Sequence, residues 1–257
     1  MESWHCLLTE PDTGVHNMAL DEALLARARR TGECVLRVYG WSSPTLSLGR
    51  NQTARGVFDG PEAAAFGVSV VRRLTGGRAL LHHREVTYSV TAPIAPGASL
   101  REWYDAINAI LLRALATLGV PARLAERSGR LPAPGSEPCF ERPAPGEVVL
   151  NGRKLVGSAL VRDGNAFLQH GSILIDDDQS LVRRLAHVST PSPAHAATLH
   201  EALGRIPTQT EVADALAAAV GALRGTEITP LAIDPETRSD HLSAMRRYAD
   251  DTWTWRK

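Results

Sequence analysis

The chain has 257 residues, enough for one large domain or two small ones with ample core. Lys+Arg and Asp+Glu both number 28, so no overall charge points to nucleic acid or a membrane surface as partner. The opening MESWHCLLTE lacks the basic and apolar regions of a signal peptide, and no apolar run approaches the ~18 residues of a membrane span. The three scattered cysteines, Cys6, Cys34 and Cys139, suggest neither a disulfide framework nor a zinc site; the expectation is a cytoplasmic protein without metal.

Cys6 to Leu8 reads as a short strand, and Asn17 to Arg30 as a helix. Met18, Leu20, Leu24 and Leu25 share one face, Asn17 is placed to cap, Asp21 and Glu22 suit the early turns, and Thr31-Gly32 ends it. Asn17 and Asp21 are therefore taken as helix-positioning rather than catalytic. Strands at 35–41 and 45–49 join at Ser42-Ser43-Pro44, and a short helix follows Gly60-Pro61. The β-branched run 68–73 reads as a strand leading into Arg72-Arg73-Leu74-Thr75-Gly76-Gly77-Arg78. A Gly-Gly turn lets a ligand approach the backbone, and arginines offer forked donors to phosphate or carbonyl oxygens. A plain hairpin turn with solvated arginines explains the same residues. The chain returns as strand from Arg84 to Val90, after His82 and His83, which point to opposite faces if extended. Either histidine is a candidate for a pocket wall or for acid–base work.

Ser99 and Glu102 form a capping box for a helix ending at Gly119. Its apolar face is Trp103, Ile107, Ile110, Leu111, Leu115 and Leu118, which is most simply core. From Arg127 to Gly146 the chain is rich in proline and glycine, and little regular structure is expected around Cys139. Asn151-Gly152 then predicts a tight hairpin between strands 147–150 and 153–160, with Lys154 close to the turn. A thiol has an ordinary pKa near ~8.5, and a nearby cation lowers it. Cys139 and Lys154 thus fit either an activated nucleophile or a core thiol beside a surface lysine. Two strands, 167–169 and 172–175, are expected around His170-Gly171-Ser172. Asp176 to Asp178 suits a helix start rather than a metal site, and Ser189 to His195 is expected to be irregular. Thr208 and Glu211 cap a helix through Arg224, a last helix spans Pro235 to Ala249, and Trp253-Thr254-Trp255 is expected to dock as an extended tail. Strands at the centre with helices at both ends predict one α+β domain.

Four motifs resemble the biotin/lipoate protein ligase A/B catalytic family, and most closely its lipoate-protein ligase A-like octanoyltransferases. They are NMALDEALL from Asn17, RRLTGGRALLHHREVTYS from Arg72, CFERPAPGEVVLNGRKLVGSA from Cys139 and LQHGSILI from Leu168; the closing DDTWTWRK resembles the family's aromatic tail. The resemblance implies a mixed central sheet with flanking helices, and an acyl tunnel beside the Gly-Gly loop. It also implies one catalytic domain over 1–257 without a C-terminal accessory domain.

By the same resemblance, an octanoyl group passes from octanoyl-acyl carrier protein to a cysteine, and then to a lysine of a lipoyl domain or glycine cleavage H protein. Cys139 matches the nucleophile and Lys154 the residue that lowers its pKa. Arg72, Arg73, Gly76, Gly77, Arg78, His82, Gly157, Ser158, Ala159 and His170 match positions about the substrate. No cofactor is implied. The family's other chemistries are ATP-dependent lipoate ligation and lipoyl transfer between carrier domains; a non-catalytic carrier-binding module is a third alternative. Cys139, together with Arg78 in place of the third glycine of a ligase GGG loop, favours the transferase. Leu160 departs from the pattern, standing where a polar residue usually follows GSA.

Overall fold

A computed structural model describes residues 2–126, 146–187 and 195–257. Cys139, the expected loop around it and most of 189–195 lie outside the described residues. In chain order the elements are β1 (Trp4–Leu8), α1 (Gly14–Thr31), β2 (Cys34–Tyr39), β3 (Thr45–Leu48), α2 (Gly60–Ala65), β4 (Ser69–Arg72), β5 (Leu80–His82) and β6 (Glu85–Pro93). There follow α3 (Leu100–Thr117), β7 (Arg123–Leu124), β8 (Val148–Leu150), β9 (Arg153–Lys154), β10 (Val156–Asp163) and β11 (Ala166–Leu174). The C-terminal part holds α4 (Ser180–Arg184), α5 (Leu199–Leu203), α6 (Gln209–Arg224), β12 (Ile228–Pro230), α7 (Pro235–Tyr248) and α8 (Asp251–Thr254).

The main sheet runs β10-β11-β6-β2-β1-β12. It is mixed: β1 pairs in parallel with β2 and β12, while the remaining pairs are antiparallel. Side-chain alternation sorts its two faces. Cys34, Leu36 and Val38 of β2, with Val86, Tyr88 and Val90 of β6, enter the principal core with α3 and α6. The opposite face turns toward α1 and α7. There β2 presents Val35, Arg37 and Tyr39, and β6 presents Glu85, Thr87, Ser89 and Thr91, all buried. One face is thus mainly apolar, with Gln169, the Tyr88 hydroxyl and Ser158 bonded to one another on it, and the other carries a larger buried polar array. Two smaller sheets, β4-β3-β5 and β7-β8-β9, complete the α+β fold with its mixed sheet and flanking helices.

Several local expectations are corrected. The α1 cap is Thr13, whose side chain accepts from the His16 N–H. Asn17 lies inside the helix, where its amide donates to the carbonyls of Asp12 and Gly40. The strands expected on either side of Gly171 are one, β11, because this glycine answers close packing rather than a turn. A Cβ there would stand 2.6 Å from the Gly157 carbonyl oxygen and 2.7 Å from Tyr88 Cε1. The Asn151-Gly152 hairpin forms with both residues at positive φ, but its second strand breaks at Leu155 and resumes as β10 in the main sheet. The closing tail is helical, capped by Asp250. Asp176 to Asp178 do lead into a helix, as expected: α4 starts at Ser180, and the N–H of its cap residue Gln179 donates to Asp177 Oδ1; the three carboxylates also face Arg84, His200, His195 and His83.

Asp21 carries the polar face. Its Oδ1 accepts from Arg37 Nη1 and Ser89 Oγ, each at 2.8 Å, and its Oδ2 from the Tyr39 hydroxyl at 2.9 Å, with His170 Nδ1 at 3.2 Å. This ties α1 to β2, β6 and β11. A buried carboxylate without such donors would cost several kcal/mol. Burial holds His170 below its ordinary pKa, against the pull of Asp21. Burial raises the Asp21 pKa, but the His170 hydrogen bond and the Arg37 charge outweigh it and hold the carboxyl low.

Two outcomes are expected. Asp21→Ala leaves Arg37 buried without its carboxylate and should cost about 3–5 kcal/mol, measured by urea unfolding; a loss below ~1 kcal/mol would contradict the bracing role. The unfolded chain binds protons more readily than the folded one at both His170 and Asp21. Stability should therefore be full above about pH 6.5 and fall as pH drops, first through the His170 window and then through that of Asp21. A melting temperature unchanged between pH 7 and pH 3 would count against this.

Candidate functional site

The polar face opens into a cavity beneath the Gly76–Gly77 loop. Arg73, Gly77, His82, Gly157, Ser158, Ala159 and His170 line it, all expected from the sequence, and so do Met18, Tyr39, Leu80, Thr87, Gly171 and Ser172. Its wall is mostly apolar surface, interrupted by the two histidines and a few hydroxyls.

Two buried relays hold this wall. In the first, Arg73 Nη1 donates to Ser47 Oγ at 3.0 Å, and Ser47 Oγ lies 2.8 Å from His82 Nε2. His82 Nδ1 lies 2.8 Å from Glu85 Oε1, which also accepts from Thr87 and Ser172. The Trp41 ring stacks on His82 at 3.9 Å and donates its N–H to Thr87 Oγ1. In the second relay, Asp21 accepts from His170 Nδ1–H, since a carboxylate only accepts; His170 Nε2 then accepts from the Thr75 hydroxyl at 2.7 Å. Each histidine therefore has both ring nitrogens engaged, and both act as braces of the wall. His83 is on the other side, exposed, with Nδ1 2.9 Å from Asp178.

The arginines divide. Arg73 donates to the carbonyls of Ser47, Gly76 and Arg78 and so pins the Gly-Gly loop from below. Arg72 is fully buried and gives its fork to the carbonyls of Gly49, Gln52 and Thr254. Arg78 is half-buried, and neither it nor Gly76 lines the cavity. Gly77 has φ 96°, and a Cβ there would stand 2.8 Å from Arg73 Nη2. Gly49 packs under the loop so closely that a Cβ would stand 2.0 Å from the Gly77 carbonyl oxygen.

Lys154 is buried on β9, opposite Val149, three residues before the cavity-lining Gly157. Its Nζ donates to Glu147 Oε1 at 2.8 Å. Asn108 of α3 donates to the Gly146 carbonyl and so fixes the start of the segment carrying Glu147. Glu147 and the Asp21 network were missed as site features from sequence. The capping and acidic-turn readings absorbed Asp21, although an acidic residue on the apolar side of a helix is itself a signal. Leu160 pairs with Gln169 across β10 and β11 and does not line the cavity. Among the described residues no group of three or more His, Cys, Asp or Glu could hold a metal ion, and no helix is long and apolar enough to cross a membrane.

With this geometry in place, comparison with known proteins identifies the chain's class. It belongs to the lipoyl protein ligase A/B catalytic domain family, whose model matches residues 13–221. It is 39% identical to the octanoyltransferase LipM of Kyrpidia tusciae over 277 aligned positions, covering the whole of both chains. Its fold is that of a lipoate-protein ligase A solved with ATP (TM-score 0.83, 20% identity, 99% of each chain). It is also that of a bi-partite lipoate protein ligase of Thermoplasma acidophilum, studied with its E2 lipoyl domain (TM-score 0.81, 19% identity, 99% of this chain and 97% of that one).

Gly49→Ala should displace the Gly76–Gly77 loop, since its nearest neighbour is a backbone atom that cannot rotate away. The expected result is a lost or reshaped cavity mouth, seen as weaker binding of a fluorescent fatty acyl probe with the fold retained by circular dichroism. Wild-type probe affinity would contradict it.

Proposed function

We propose that the protein is an octanoyltransferase of lipoate biosynthesis. It takes an octanoyl group from acyl carrier protein onto Cys139 and passes it to a lysine of a lipoyl domain or glycine cleavage H protein. The likeness to the Kyrpidia octanoyltransferase over the whole of both chains carries this reading. The family membership and the apolar cavity beneath Gly76–Gly77 support it.

The six methylenes of an octanoyl chain, at about 0.8 kcal/mol each, give roughly 5 kcal/mol of anchoring on burial. The thiolate of Cys139 attacks the donor thioester, the carrier sulfur leaves and takes a proton, and a new thioester remains on the enzyme. The neutral amine of the acceptor lysine then attacks that carbonyl. Its proton is released, the Cys139 sulfur leaves, and an amide forms. Thioester exchange is near isoenergetic and amide formation runs downhill, so no step calls for nucleotide.

Lys154 supplies the cation for the thiolate. Two unit charges about 4 Å apart at an effective dielectric near ~20 interact by roughly 4 kcal/mol. One pKa unit needs about 1.4 kcal/mol, so Lys154 suffices even with part of its field offset by Glu147, to which its Nζ donates at 2.8 Å. The other thiols stand in contrast: burial pushes Cys34 up to about 12 and raises Cys6, leaving both protonated at neutral pH.

Cys139→Ser should abolish octanoyl transfer to a lipoyl domain while the fold persists. Lys154→Ala should slow alkylation of Cys139 near neutral pH and move its pH midpoint upward. Wild-type turnover in the serine variant would remove the covalent route, and an unmoved alkylation profile would remove the role of Lys154. Lipoate incorporation strictly dependent on ATP would instead assign a ligase, and transfer from one octanoylated domain to another would assign an amidotransferase.

A further inference from the structure

The cavity has a direction, set by the sheet beneath it. Gly157, Ser172, Thr87 and Tyr39 all line it, and they stand in register across β10, β11, β6 and β2. Gly157 is opposite Ser172, Ser172 opposite Thr87, and Thr87 opposite Tyr39. At about 4.8 Å between neighbouring strands, this row is roughly 14 Å long. One end of it lies toward Lys154. Gly157 follows Lys154 by three residues, and the cavity-lining Leu80 packs with Leu174 and Ala196. Ala197, next to that alanine, donates its N–H to the Lys154 carbonyl at 2.9 Å.

The other end is closed by α1. Asn17 donates to the Gly40 carbonyl, and Asp21 accepts from the Tyr39 hydroxyl at 2.9 Å. Met18 lies between those two contacts, three residues before Asp21 and so on the same side of the helix. It is thereby held beside Tyr39, buried and lining the cavity. Tyr39 is fixed there by Asp21 and by the Arg37 guanidinium, 3.9 Å from the centre of its ring. Met18 is the adaptable part of this end wall, an unbranched apolar side chain. It belongs to one apolar cluster with Trp41, Val71, Ala244 and Tyr248, so packed side chains reaching α7, rather than solvent, stand behind it.

We propose that Met18 sets the length of the acyl chain, as the wall on which its last carbon stops. This rests on the transferase reading above. Eight carbons in extended form, with C–C bonds of about 1.5 Å, reach roughly 9 Å from carbonyl to methyl. With the carbonyl at the Lys154 end, such a chain runs along the row as far as Thr87 and Tyr39, and the Met18 side chain fills what remains. Truncation to alanine removes the thioether and its two flanking carbons. The apolar side chains behind then form the end wall, with room for about two more methylenes. Phenylalanine, bulkier and stiffer, takes room away instead.

The test follows transfer of hexanoyl, octanoyl, decanoyl and dodecanoyl groups from acyl carrier protein to a lipoyl domain. It compares the wild type with Met18→Ala, Met18→Leu and Met18→Phe in the full chain, each checked for fold by circular dichroism. One buried methylene is worth about 0.8 kcal/mol, or roughly fourfold. Met18→Ala should therefore raise the decanoyl-to-octanoyl ratio of kcat/KM roughly tenfold or more. Met18→Phe should raise the hexanoyl-to-octanoyl ratio, and the near-isosteric Met18→Leu should keep the wild-type profile. An unchanged length profile in Met18→Ala, or an equal loss at every length, would overturn the proposal whether or not the phenylalanine variant folds. If the wild type transfers no acyl group, the transferase reading falls, and displacement of a fluorescent fatty acyl probe by free fatty acids of the same lengths still decides the residue. A preferred length that rises in Met18→Ala supports the proposal. A profile indifferent to position 18, or no displacement at any length, overturns it.

Discussion

The Asp21 carboxylate is the constraint on which the site depends. It is sealed between α1 and the main sheet, and it is tolerable there only because Arg37, Tyr39, Ser89 and His170 all donate to it. Those four partners come from three different strands. Satisfying one charge therefore sets the position of α1, the spacing of β2, β6 and β11, and the orientation of a cavity-lining histidine. The opposite face of the same sheet is mainly apolar, with one short chain of polar groups from Gln169 through the Tyr88 hydroxyl to Ser158. The fold thus separates its tasks: one face supplies cohesion through α3 and α6, and the other holds fixed polar geometry.

From that anchor the order spreads outward to the Gly-Gly loop. His170 takes the Thr75 hydroxyl, and Arg73 takes three carbonyls around the loop, one of them from Gly76 itself. The loop is built of residues with no side chain to interpose, yet side chains beneath it hold its backbone from two directions. Such a loop can stay open to a ligand and still keep its shape, because its rigidity comes from below. The histidines follow the same logic. With both nitrogens engaged, neither is placed to shuttle protons. On the transferase reading proposed above, the chemistry falls to Cys139 and Lys154, and to the acceptor amine itself.

Much of this was legible in the sequence, and the exceptions have physical causes. The capping boxes at Ser99 and Thr208 and the Asn151-Gly152 turn were readable because a local hydrogen-bond pattern specifies each of them. Gly171 misled because a glycine inside a strand looks the same whether it turns the chain or admits a neighbouring backbone. Arg72 and Arg73 sit side by side in one motif yet serve different partners, one the C-terminal segment and the other the loop; strand alternation separates them, but only the tertiary fold says what each side faces. Asn17 was read as a cap because its long-range partner, the Gly40 carbonyl, is 23 residues away. The family motifs identified the cavity-lining residues of the Gly-Gly, GSA and QHG segments, and Met18, Tyr39 and Thr87 were added only by the packing of α1 on the sheet.

The most direct test of the account is the mass of the intact protein after mixing with octanoyl-acyl carrier protein in the absence of ATP. The account predicts a gain of one octanoyl group that hydroxylamine removes, that is absent in Cys139→Ser, and that disappears when a lipoyl domain is added. No adduct on the wild-type protein, under conditions where the carrier is seen to bind, would contradict it.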